Sequence, residues 1–199
     1  MTRLRAVLAA LLFSAGALPL IAQDDDLTYD HRVAGDRALS IQIGGVFPEG
    51  FEAFGGSIAP SNLYWIGGNM GLSLDFYLDD NWSVGGSLRG NATFSVNNNT
   101  LFLVPVTVEG KYEFKVFPFS FPVGLGAGIC FTSYLTYNTL DYILMPMAGA
   151  YWNINSSWSA GISVSQWIVF EPYGGGEVPA SDSRIGYFVD PSLSAIYHF

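Results

Sequence analysis

Residues 104–114 read VPVTVEGKYEF. Val104, Val106, Val108, Tyr112 and Phe114 fall on one face of an extended chain, and Thr107, Glu109, Lys111 and Glu113 fall on the other. Side chains two apart share a face only in a strand, so the stretch predicts β-structure. All of its charges sit opposite its apolar residues. That placement separates two kinds of barrel. A water-soluble barrel of the lipocalin kind carries charge outside and apolar side chains within. If the polar face looks inward instead, the exterior is a bare apolar band, which only lipid tolerates over so large an area.

The pattern repeats outward along the chain. In GLSLDFYLDD (71–80), Leu72, Leu74, Phe76 and Leu78 oppose Ser73, Asp75 and Tyr77. In WSVGGSLRGNATF (82–94), Trp82, Val84, Leu88, Ala92 and Phe94 oppose Ser83, Ser87, Arg89, Asn91 and Thr93. ALSIQIGGVF (38–47), PVGLGAGICFT (122–132), WSAGISVSQW (158–167) and the segment from Tyr187 to Phe199 alternate as well, while ILMPMAGAYW (143–152) is apolar on both faces. Eight strands follow. The connections at 78–81, 115–118 and 154–157 are short, and those at about 48–67, 95–100, 133–141 and 171–184 are long. NWSVGGSL after one short turn is echoed by SWSAGISV after another. The predicted fold is an all-β, eight-stranded, antiparallel up-and-down transmembrane β-barrel. A helical membrane protein would have to use the charge-free stretches 116–140 or 142–170, but Pro118, Pro122, alternating glycines and NINSS oppose helices there.

Composition agrees. Of 199 residues, 50% are hydrophobic, 16% aromatic and only 13% charged. A formal charge of -9 argues against nucleic acid as a partner, and the lone Cys130 excludes an internal disulfide. The opening MTRLRAVLAALLFSAGALPLIAQDDD has two arginines, an apolar run and small residues before an acidic cluster, the order of a secretory signal peptide. Residues 1–23 are therefore expected to be a signal peptide, 24–36 a polar lead-in and 37–199 the barrel, exported to the cell outer membrane.

The last eight residues, SLSAIYHF, alternate up to the final aromatic. A sheet spans a bilayer only by closing on itself, so the last strand must pair with the first along its length. Tyr112, Tyr151, Tyr197, Phe199, Trp82 and Trp158 would then form an aromatic girdle at one interface.

A terminal aromatic preceded by apolar residues at every second position resembles the assembly signal of bacterial outer-membrane barrels, here Tyr197 and Phe199. VDPSLSAIYHF is similar to the ending of the OmpW family, LSLDFYLDDNWSVG resembles that family's second hairpin, and IQIGGVFPEG its first strand. OmpX-like and OmpA-like barrels form the wider class. The resemblance implies contact with the barrel-assembly machinery and with outer-membrane lipid, and passage of small hydrophobic molecules. The rival is a surface adhesin or a structural outer-membrane protein with no transport role.

Little supports catalysis. Only His31 and His198 are available for a Ser–His–acid set, one cysteine and two distant histidines do not make a metal site, and GLGAGI lacks the third glycine of a dinucleotide fingerprint. No enzyme activity, metal or cofactor is expected. The candidate sites are a lumen charge cluster (Asp75, Arg89, Glu109, Lys111, Glu113) and an apolar mouth in the first long loop (Phe51, Phe54, Leu63, Tyr64, Trp65). Counting from the turns sets Gly85 between Asp75 and Lys111, leaving a gap through which the two charges meet. Gly124, Gly126, Gly128 and Cys130 would make one lumen wall bare backbone, with room for Trp152 or Trp167.

Overall fold

A computed structural model describes residues 32–53, 58–60, 67–94, 99–135, 137–171 and 184–199. Its strands are β1 (Arg37–Ala53), β2 (Ile58–Pro60), β3 (Gly67–Tyr77), β4 (Trp82–Phe94), β5 (Thr100–Val116), β6 (Phe119–Tyr134), β7 (Tyr137–Asn153), β8 (Trp158–Glu171) and β9 (Arg184–His198). Eight of them, β1 and β3 to β9, pair antiparallel in chain order, and β9 closes on β1. The short β2 pairs only with Gly50–Glu52 at the long-loop end of β1.

Leu72 is 51% exposed while its neighbour Ser73 is 3% exposed, and the inversion repeats on every barrel strand. Outward positions from Leu39 to Phe47 and from Phe102 to Phe114 carry no charge. Water would make so wide an apolar exterior costly, whereas bilayer hydrocarbon does not. At the short-turn end Trp82 meets Tyr112 edge-on with centroids 5.0 Å apart, Trp158 lies 5.0 Å from Tyr197, and Tyr197 stacks on Phe199 at 5.8 Å. Tyr151 is not part of this girdle. It shares the inward face of β7 with Ile143 and Met145 and is buried, so Trp152 takes the outward position instead of filling the lumen.

The echo between NWSVGGSL and SWSAGISV is an echo of turn chemistry. Asp79 Oδ1 accepts the Asn81 and Trp82 amides at 2.8 and 2.7 Å. Asn155 Oδ1 accepts those of Ser157 and Trp158 at 2.9 and 2.8 Å. Each short side chain mimics a backbone turn and starts the next strand on Trp.

Two connections differ from the sequence expectation. The 133–141 segment is not a long loop, because β6 and β7 continue as a ladder to Tyr134↔Tyr137. β1 runs on to Ala53 rather than ending near residue 48, with a bulge between Pro48 and Gly50 that turns Phe51 onto the inward face. Of the lead-in, residues 32–36 lie against the short-turn end. The Arg32 amide donates to Asp80 Oδ1 and its guanidinium to the Ser156 carbonyl, both at 3.0 Å, linking two separate turns.

Candidate functional site

Inward side chains divide the lumen into two halves. Towards the short turns the lining is mixed, with Ser40, Gln42, Ser83, Ser120, Ser159 and His198 beside Tyr151 and Ile196 around a cavity of about 50 Å³, room for a few waters. Towards the long loops it is apolar. Val46, Leu101, Leu103, Cys130, Ile143, Met145, Trp167, Val169 and Phe188 form one buried cluster, with Phe51 and Met147 packed against it. The lumen face is therefore not uniformly small or polar, as alternation alone implied, because the upper inward positions of β5, β7 and β8 carry large apolar residues. The glycine wall leaves no open passage either. A Cβ at Gly126 would sit 3.2 Å from Met145 Cε and 3.4 Å from Met147 Cε, so the methionines occupy the space.

Between the halves lies a chain of alternating charges. Lys111 Nζ is 2.9 Å from Asp75 Oδ2 and 2.9 Å from Glu109 Oε2. Arg89 lies 3.5 Å from Glu109 Oε1 and 2.9 Å from Asp190 Oδ2, and also donates to Ser165 Oγ at 2.9 Å. Asp190 in turn accepts from Asn69 at 2.9 Å and Ser192 at 2.7 Å. Residues on β3, β4, β5, β8 and β9 are thereby tied across the lumen. Isolated charges at this depth would be costly, and each here faces an opposite one.

Four of the five cluster residues named from sequence meet here. Glu113 does not join them. It sits lower, where Tyr77 Oη donates to it at 3.4 Å. Asp75 does pair with Gly85 across β3 and β4, but Gly85 faces Glu109 rather than Lys111, which pairs with Ser83. The count through the 95–100 connection is off by two residues, and the long Lys111 side chain spans the difference. The gap at Gly85 is real: a Cβ there would come within 2.3 Å of Asp75 Oδ1. Asp190 was missed as a lumen residue. The signal was available, since Asp190 lies an odd number of residues before Phe199 and so shares the face of Ser192 and Ser194.

The lumen also holds an unanticipated Ser–His contact, Ser159 Oγ to His198 Nε2 at 2.9 Å. Ser159 Oγ donates to Asn153 Oδ1 at 2.7 Å, so its proton is directed away from the imidazole, and His198 Nδ1 has no partner to orient the ring. The pair lacks the arrangement that activates a nucleophile. Of the apolar mouth, Phe51 packs edge-on against Phe188 with centroids 5.9 Å apart. Phe54, Leu63, Tyr64 and Trp65 lie outside the described residues.

Lys111→Met is expected to destabilise the barrel by a few kcal/mol, because Asp75 loses its cation while staying buried. Adding Asp75→Asn should restore part of the loss. Chemical denaturation of Lys111→Met, Asp75→Asn and the double variant checks this, and strictly additive losses would mean the pair contributes nothing.

Neisserial surface protein A is similar in fold, with a TM-score of 0.60 over 83% of this chain and 98% of that one at 10% identity. The outer membrane protein AlkL, solved in lipid bilayers, is similar at a TM-score of 0.56 over 90% of this chain and 97% of that one, with 14% identity. OprG from Pseudomonas aeruginosa follows at 0.51 over 84% and 97%, with 12% identity. Such identities speak for the fold alone. An uncharacterized protein of Treponema pallidum (strain Nichols) is 32% identical over 95 residues, 48% of this chain and 43% of that protein, so the match spans less than half of the relative's length. One protein-family model matches residues 21–197. The chain belongs to the family that this model defines, and its fold is the closed eight-stranded transmembrane barrel of small outer-membrane proteins.

Proposed function

We propose that the protein is exported by residues 1–23, is inserted in the outer membrane by the barrel-assembly machinery, and admits small hydrophobic molecules at its long-loop end. The divided lumen carries the proposal. An apolar upper half lies above a floor of paired charges, and the cavity that Asp75, Arg89 and Lys111 of that floor help to line has room only for waters. Polar solutes have no continuous route through such a lumen. An apolar guest can shed its water above, displace flexible side chains such as Met145 and Met147, and leave sideways into the bilayer, since the charged floor opposes its descent. The OmpW resemblance points the same way.

The dense packing of the upper half also favours a second possibility, a surface or structural role with no transport. Uptake of a small hydrophobic probe and of a similar-sized polar sugar, in cells with and without the protein, separates the two. Faster probe entry with unchanged sugar entry is the expected result. Equal probe entry in both strains, with binding to host surfaces lost in the deletion, would establish the adhesin instead.

A further inference from the structure

One buried acid stands apart from the charge network. Asp141 is on the inward face of β7, 2% exposed, opposite Cys130 in the β6–β7 ladder and two residues from Ile143. Cys130 and Ile143 belong to the apolar cluster, and Thr132, the partner of Leu103 on β5, faces Thr139 one step further up. Thr132 and Thr139 both donate to Asp141 Oδ2. Oδ1 is buried with no hydrogen-bond partner. The lumen cations are engaged elsewhere, Arg89 with Asp190 and Glu109, and Lys111 with Asp75 and Glu109. A carboxylate oxygen stranded on the face of Cys130 and Ile143 carries an unrecovered desolvation cost.

We infer that Asp141 is a specificity residue of the upper lumen, and that the preferred guest is a small apolar molecule bearing an ammonium group. The inference rests on the apolar-guest proposal above and narrows its substrate class. The hydrocarbon part of such a guest replaces side-chain contacts of the cluster, and its N–H donors meet the free Oδ1. A divalent cation suits the place poorly. Hard cations gather six or more oxygens, whereas both threonine hydroxyls are already donating to Oδ2 and Cys130 is a neutral neighbour. Carboxylate-bearing guests are disfavoured by like charge.

The test titrates the full chain in detergent micelles calorimetrically with hexylammonium and with hexanol, correcting for empty micelles, in wild type and in Asp141→Asn. The wild type is expected to bind hexylammonium about tenfold more tightly than hexanol, the ratio of one charge-assisted hydrogen bond. In Asp141→Asn, checked for folding by its heat-dependent gel mobility, the two probes should bind alike, with hexanol affinity kept. Equal affinities in the wild type, or a preference that survives Asp141→Asn, would overturn the role of Asp141 while hexanol binding leaves the apolar-guest proposal standing. Binding of neither probe would overturn both. If Asp141→Asn does not fold, the comparison of the two probes on the wild type still decides.

Discussion

The Arg89→Met barrel is expected to lose about 3–5 kcal/mol of folding stability, the range for removing one member of a buried ion network. Arg89 is 4% exposed and holds Asp190, Ser165 and Glu109 from β9, β8 and β5. Methionine fills much of the same volume, so the loss reports charge and hydrogen bonding rather than a cavity. Glu109 keeps Lys111, but Asp190 retains only neutral donors. Arg89→Lys should recover little, because an ammonium cannot present a planar fork to two acids and a hydroxyl at once. The double variant Arg89→Met with Asp190→Asn should recover part of the loss, since the stranded charge is then gone. Denaturant unfolding in detergent, followed by tryptophan fluorescence and by gel mobility, gives the values. A loss under about 1 kcal/mol, typical of exposed pairs, would mean that water screens the network.

Much of this architecture was legible in the sequence because the strand period is two and leaves little ambiguity. Once Glu109, Lys111 and Glu113 are placed opposite Val106 and Val108, the inward face follows, and the neighbouring strands inherit it. Turn chemistry was legible at Asp79 and Asn155 for the same local reason. Register across a long connection was not. The pairing of β4 with β5 depends on how residues 95–99 close, which no alternation records, and a two-residue shift preserves every face while changing every neighbour. Hence Asp75 and Lys111 were placed on the correct face, yet Glu109 stands where Lys111 was expected. The face of Asp190 was legible from the alternation of its strand, but its pairing was not, since its partner Arg89 lies 101 residues away. The apolar upper lumen was the other surprise. Leu101 and Leu103 alternate with Phe102 and Val104, and Phe188 sits between Tyr187 and Val189, so these strand ends carry little polarity contrast to read.

Deleting Phe199 is expected to remove most of the folded barrel from the outer membrane while leaving export intact. The backbone of Phe199 exchanges two hydrogen bonds with Arg37, each 2.9 Å, which complete the seam between β9 and β1. Its ring stacks on Tyr197, facing outward at the girdle. Two backbone hydrogen bonds contribute about 1–3 kcal/mol net. Losing that much weakens a closed barrel without preventing its closure, because β9 and β1 stay paired from Ala38↔His198 upward. Purified protein lacking Phe199 should therefore refold in detergent and show the heat-dependent gel shift. Cells impose a further step, recognition of the last strand by the assembly machinery, for which Tyr197 and Phe199 are the proposed signal. Phe199→Ala, which keeps the seam bonds but not the ring, should then fail in cells nearly as badly as the deletion, and Phe199→Tyr should pass. Failure of the deletion in both settings would assign its effect to the seam, and normal levels of folded barrel in cells would overturn the role of Phe199 in assembly.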